Sequence, residues 1–369
     1  MAGSVKKDGN TWYYVLELGK VNGKRKQKKK RGFKTKKEAQ NALIEAEHSL
    51  LKNGIFSEPS KMLYKDYLNN WLDDKKLIIK ESTFKTYNWL IGRYIIPYLG
   101  HLEISKITPM DIQKFYNELI NKDILSRENV QKIHSLINDS LNKAERWELV
   151  KRNVASLVDR PRAFKNELKV WDIEEVKSFL TAAQSSRYYI AFLLALTTGM
   201  RQGEILALRW KDLDFISNTV SIRQTLSHTG NKIIPGAKTR SGLRSITLPL
   251  ETMSALSKQK KIVQYEKRIA DLIYNDHDLI VCTNVGTPCS PRNLLRSFYS
   301  LTKKANVTRI RFHDLRHTHA TLLLKEGIHP KVVAERLGHS NIRITLDTYS
   351  HVLPTMQLET ANKINELLF

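Results

Sequence analysis

Two cysteines, Cys282 and Cys289, are all that 369 residues hold. They form neither a disulfide framework nor a four-ligand zinc pattern. Both are read as ordinary residues of a reducing cytosol, which makes the protein cytoplasmic. Long apolar runs are scarce as well. The longest, Tyr188 to Leu196, is far short of the roughly 20 residues that span a bilayer. The N-terminus carries no apolar stretch of the kind that marks a secretory signal. No glycine-rich segment ending in lysine is present to cradle nucleotide phosphates. Acidic residues are few: 37 Asp and Glu face 61 Lys and Arg, for a formal charge of +24. A surplus that large selects a polyanionic partner. With no segment suited to a membrane, that partner is read as nucleic acid.

What is present is enough to fold. The hydrophobic content is 41%, which excludes a disordered chain, and the length suggests two or three domains. Residues 1–55 open with Thr11-Trp12-Tyr13-Tyr14-Val15-Leu16-Glu17-Leu18, rich in strand formers. Asn22-Gly23 is a hairpin signal, and a basic run from Lys24 to Arg31 follows as a second strand. A helix through Ala39, Leu43 and Ala46 closes this small sheet-plus-helix region. Residues 58–158 read as helical, with Tyr64, Tyr67, Leu68, Trp71 and Leu72 at helical spacing. Ser82 or Thr83 is the expected cap of a helix ending near Pro97 and Gly100. Thr108-Pro109 is a cap with proline in the first turn, and a longer helix spans about 127–147. The aromatic set Tyr64, Tyr67, Trp71, Tyr87, Trp89 and Tyr94 is read as core. Charged residues from Asp159 to Lys169 make a linker. Residues 170–369 are mixed: helices near 172–182, 187–198 and 203–209, strands near 219–226 and 244–248, then helices near 291–304, 314–326, 330–337 and 341–349 and a tail helix.

Chemistry-bearing residues gather late in the chain. His313-Asp314-Leu315-Arg316-His317 precedes Leu337-Gly338-His339 and Asp347-Thr348-Tyr349. His313 and Arg316 are three residues apart, so on a helix they share a face. Gly338 reads as a helix stop that holds His339 at a junction. Upstream, Thr198-Gly199-Met200-Arg201-Gln202-Gly203-Glu204 puts Arg201 on a short turn between helices. Ala237-Lys238-Thr239-Arg240-Ser241-Gly242 reads as the turn of a β-hairpin, with Lys238 on an exposed tip.

These residues resemble the tyrosine recombinase family, which includes the phage integrases. The matches are Arg201 in TGMRQGE, Lys238, His313 and Arg316 in HDLRH, His339 in LGH, and Tyr349, in the family's order. The resemblance implies a multidomain α+β fold. A small three-stranded arm-binding domain precedes a helical core-binding domain and a mainly α catalytic domain with a small antiparallel sheet. It also implies that the two larger domains close around DNA. Tyr349 would attack a phosphodiester and form a 3′-phosphotyrosyl bond. Arg201 and Arg316 would clamp the nonbridging oxygens, with hydrogen bonds from His313 and His339. His313 is the first candidate for the base and Lys238 for the acid. No cofactor or metal is implied. The partners implied are double-stranded DNA with core-type and arm-type sites, three more protomers in a tetramer, an excisionase and a host DNA-bending protein.

Plainer readings stand beside these. His313 and His317 have a spacing that suits zinc, but a zincin pattern needs Glu where Asp314 stands. His317 and His319 are left structural. Glu204 is read as support for the site, and its contact with Arg201 is left open. Arg240 and Arg244 compete with Lys238 for a position facing DNA. Among the first 37 residues thirteen are Lys or Arg and only Asp8 and Glu17 oppose them. That density makes Lys24, Arg25, Lys26, Lys28, Lys29, Lys30 and Arg31 candidate phosphate contacts. The tail with Leu358, Ile364, Leu367, Leu368 and Phe369 either docks on a neighbouring protomer or packs locally. A type IB topoisomerase-like nicking and sealing enzyme and a non-catalytic DNA-binding regulator are the alternative functions.

Overall fold

The computed structural model of the protein describes residues 3–21, 24–53, 61–162, 168–230, 232–236, 243–349 and 355–369. Asn22-Gly23 and the whole of 237–242, Lys238 included, lie outside them. The chain divides into two compact units, Met1–Lys165 and Asn166–Phe369.

In the first unit, β1 (Gly3–Asp8), β2 (Thr11–Val21) and β3 (Lys24–Phe33) form an antiparallel sheet in sequence order. Alternation along β2 sends Tyr14 and Leu16 to one face, where they are buried against Leu43 and Ala46 of α1 (Lys36–Asn53). Tyr13 and Val15 point the other way, beside Lys6 and Lys29 in the register.

The helical part holds α2 (Tyr64–Lys76) and α3 (Glu81–Leu90), which runs through a π turn into α4 (Ile96–Leu99), then α5 (Pro109–Asn121) and α6 (Arg127–Arg146). Tyr64, Tyr67 and Trp71 sit in its core. The two phenols meet Ser140 of α6, Tyr64 through its Oγ and Tyr67 through its carbonyl, both at 2.7 Å. That satisfies two buried hydroxyls and fixes α2 on α6. Thr108 caps α5 in a box with Asp111. The cap of α3 departs from expectation: it is Lys80, not Ser82 or Thr83. Pro97 lies in the first turn of α4, and the helical run closes at Leu99 with Gly100 as its cap, as expected. Trp89 is also no core residue: it is half exposed and meets Tyr94 edge-to-face.

In the second unit, α7 (Ile173–Ala183), α8 (Tyr189–Thr198) and α9 (Gln202–Leu206) come first. Then β4 (Leu213–Asp214), β5 (Thr219–Ile222) and β8 (Arg244–Thr247) form one antiparallel sheet, while β6 (Gln224–Leu226) pairs with β7 (Ile233–Pro235). The strands flanking Lys238 therefore pair with different partners, not with each other as a simple hairpin would. The helices α10 (Leu250–Ala270), α11 (Pro291–Lys304), α12 (Asp314–Lys325), α13 (Pro330–Leu337), α14 (Ile342–Tyr349) and α15 (Thr355–Leu368) complete the unit. α8 is apolar on nearly every face because it is buried on nearly every face, packed against α7, α10 and α12. α10 was not legible in the sequence. It buries only Thr252, Met253, Leu256 and Val263 and exposes Ile262, Tyr265 and Ile269, so apolar residues on both sides blur the helical period. Among the described residues no helix is long and apolar enough to cross a membrane.

Candidate active site

The site is assembled at the C-terminal end of α8. Gly199 ends that helix at φ +65°, and a β-carbon there would stand 2.5 Å from Leu337 and 2.8 Å from His319. Only glycine fits so close a crossing at that dihedral. The carbonyls left unpaired at the helix end are taken by side chains from α12 and α13. His319 Nδ1 donates to the Leu196 carbonyl at 2.8 Å, Arg336 to Thr197 at 3.1 Å and Arg316 Nη1 to Gly199 at 2.8 Å. A carbonyl only accepts, so His319 carries its proton on Nδ1.

Two residues beyond Gly199, Arg201 is the cap of α9. Glu204 returns to accept from the Arg201 backbone N–H at 3.0 Å and from its Nη1 at 2.8 Å. The open question about this contact is thus settled: the two form an ion pair. Glu204 is buried and pairs a second time, with Arg244 of β8 at 2.9 Å. Burial works against the Glu204 carboxylate, but Arg244 and then Arg201 hold its pKa below the usual value.

Arg316 is 3% exposed, and its Nη2 is buried with no hydrogen-bond partner among the described residues. Burial, together with the charges of Arg201 and Arg244, pushes its pKa down to about 9. A guanidinium destabilised this way is a cation short of an anion, and a donor without a partner is one a phosphate oxygen would satisfy. His339, just past the left-handed Gly338, contacts Thr345 Oγ1 at 2.8 Å. Burial and the charges of Arg316, Arg201 and Arg244 push its pKa down to about 4. His313 stands at the start of α12, its pKa lowered by burial and by Arg316.

Tyr349, the last residue of α14, is buried, and its pKa is pushed up to about 12 by burial, with Arg316 opposing. Its hydroxyl lies 2.8 Å from Nδ1 of His317. The phenol's partner is therefore His317, one turn beyond the candidate base His313. The two imidazoles meet edge-to-face. Burial and His313 hold His317 at about 4. The two groups are both neutral at pH 7. An imidazole near 4 does not take a proton from a phenol near 12, so this contact holds the hydroxyl without activating it.

The profile of the Phage integrase family matches residues 169–356. The chain belongs to the phage integrase family. It is a tyrosine recombinase, an enzyme that breaks and rejoins DNA through a tyrosine nucleophile. The family's arm DNA-binding domain matches residues 4–50 and its N-terminal SAM-like domain residues 63–120. A tyrosine recombinase XerC-like protein of Caldanaerobacter subterraneus is 29% identical over 98% of this chain and 97% of its own length. The ICEBs1 integrase of Bacillus subtilis is 29% identical over 78% of this chain and 79% of its own. In fold, the Tn1549 transposon integrase bound to transposon right end DNA superposes with a TM-score of 0.70 at 22% identity, covering 83% of this chain and 99% of that one. A lambda integrase tetramer bound to a Holliday junction gives 0.61 at 19% identity, covering 93% and 94%.

In this integrase the basic run of β3 is split by strand alternation. Lys29 and Arg31 share the open face with Tyr13, their cationic groups 3.9 and 5.9 Å from its ring centre. Lys28 and Lys30 lie opposite Leu16 and Tyr14 and so share the α1 face, Lys30 above Phe33. The side chains of Lys24, Arg25 and Lys26 lie outside the described residues. Sequence reading left His317 structural, weighed Arg244 only as a rival of Lys238 for DNA, and did not single out Arg336. For His317 a signal existed, since it follows His313 by one helical turn. Arg244 and Arg336 carried none, because only the fold brings them to Glu204 and α8. No group of three His, Cys, Asp or Glu among the described residues is placed to hold a metal.

Proposed function

We propose that Tyr349 is the nucleophile of a site-specific recombination reaction that inserts and excises a mobile element. Its phenolic oxygen gives its proton to His313, the candidate base, and bonds to the scissile phosphorus as the bond to the 5′ oxygen breaks. The electron pair leaves on that oxygen, which takes a proton from Lys238. The 3′-phosphotyrosyl link keeps the phosphodiester energy, and a 5′ hydroxyl from another strand reverses the step without ATP. Arg316 and Arg201 hold the two nonbridging oxygens, with His339 and His313 as further donors. The reading rests on one observation above all: the buried Nη2 of Arg316, without a partner among the described residues, in a guanidinium that interacts with both Arg201 and Tyr349.

An anion bound there would also change the proton balance. It relieves the charge repulsion on Arg316 and His339 and favours their cationic forms. The arm sheet binds separate DNA sites through Lys29, Arg31 and neighbouring basic residues, and four protomers act on two duplexes in the cytoplasm. An excisionase and a host DNA-bending protein would set direction.

Nicked duplexes from the ends of the element that encodes the protein, located first by footprinting, test the chemistry. The wild type forms a covalent adduct. Tyr349→Phe binds the same DNA and forms none. An adduct in the phenylalanine variant removes the assignment. A plasmid with two sites separates recombination from topoisomerase-like relaxation: recombinant circles support the reading, and relaxed circles alone refute it.

A further inference from the structure

We propose that Arg244 is a positioning residue that takes up the charge of Glu204 and so leaves Arg201 cationic toward the phosphate. The inference rests on the reading of Arg201 as a phosphate ligand.

Glu204 has two jobs that conflict. Its carboxylate caps α9 and orients Arg201 through two hydrogen bonds. The same negative charge, 2.8 Å from Arg201 Nη1, cancels the field that Arg201 must present to a phosphate. Arg244 resolves this. Its Nη2 sits 2.9 Å from the second carboxylate oxygen, with both side chains 7% exposed, while Arg201 is 40% exposed. The more buried pair is the less screened one, so Glu204 spends more of its charge on Arg244. The pKa of Glu204 points the same way, since Arg244 lowers it more than Arg201 does. With Arg201, Arg244 and Arg316 positive and Glu204 negative, the group carries +2. That matches a phosphodiester gathering a second negative charge as the phenolic oxygen adds.

Arg244 is also held in place. Its Nε donates to the Arg336 carbonyl at 2.6 Å, in the last turn of α13 just before the Gly338 stop and His339. It therefore links β8, the start of α9 and the end of α13. A charge without that anchoring would not stay on Glu204.

The test is a double-mutant cycle read by single-turnover adduct formation on the nicked duplex, with DNA affinity and melting temperature measured alongside. Arg244→Gln leaves Glu204 to Arg201 alone, and cleavage falls on the order of 100-fold with affinity within about threefold. Glu204→Gln alone falls about tenfold. The double variant, free of the excess charge, cleaves within about fivefold of Glu204→Gln. Losses that multiply in the double variant would overturn the proposal, as would affinity and cleavage falling together. Arg244→Lys covers the case in which Arg244→Gln does not fold. It keeps the charge and cleaves within about tenfold of wild type, and a 100-fold loss at an unchanged melting temperature refutes the charge role. A wild type that forms no adduct would instead sink the reading of the active site itself.

Discussion

The open face of the arm sheet and the cleft at the end of α8 are both cationic, yet they are built in opposite ways. On the sheet, Lys29 and Arg31 stand exposed over Tyr13. In the cleft, Arg316 and Arg244 are buried, hydrogen-bonded to backbone carbonyls, and Arg316 is depressed to about 9. Solvated charges cost little to present and give salt-dependent affinity in small equal parts. Buried charges are costly to hold, so they act at full strength on an anion and tolerate almost no change. One region is suited to finding DNA and the other to breaking it.

The largest break in that comparison comes from Arg316→Lys. An ammonium cannot reproduce the fork that reaches Gly199 and, in the proposed reaction, a phosphate oxygen. Adduct formation should fall about 1,000-fold while DNA affinity changes far less; equal losses in both would mean that the cleft works like the sheet. Arg201→Lys should follow the same pattern with a smaller loss, because Arg201 is partly solvated.

Gly199→Ala attacks the support rather than the charge. A positive φ and a 2.5 Å contact with Leu337 together should lower stability by about 2–4 kcal/mol, seen in urea unfolding. A neutral result would mean that the crossing of α8 and α13 is slack.

Acid should weaken the free protein. His317, His319 and His339 bind protons near 4 in the fold but near 6.5 when unfolded. Between those values the unfolded chain holds more protons, so stability present above pH 6.5 is lost as the pH falls toward 4. Melting temperature measured across that window should drop steadily. Replacing His319, the most buried of the three, should flatten the curve.

The smallest effect is expected on the sheet. Removing Lys29 and Arg31 together should reduce the slope of log affinity against log salt by about 2 for arm-type DNA. An unchanged slope would take both residues out of the interface.

The sequence carried much of this, and the physics says why. Tyr14 and Leu16 alternate with Tyr13 and Val15, so the sheet face was readable. Gly199 and Gly338 mark helix ends by backbone need alone, which placed Arg201 and His339 at junctions. What stayed hidden depends on three-dimensional neighbours. Nothing local says that Arg244 reaches Glu204, forty residues earlier, or that Arg336 closes the end of α8. His317 was left structural because it shares a helix with His313 and only the position of α14 decides which imidazole meets Tyr349. The even split of α10 between buried and exposed apolar residues erased its period.

The central claim is that one buried phenol beside two guanidiniums makes the bond to DNA. It is tested most directly by digesting the covalent adduct and sequencing the DNA-linked peptide by mass spectrometry. The account predicts a single linkage, at Tyr349, through a 3′ phosphate. A linkage at any other residue, or through a 5′ phosphate, would contradict it.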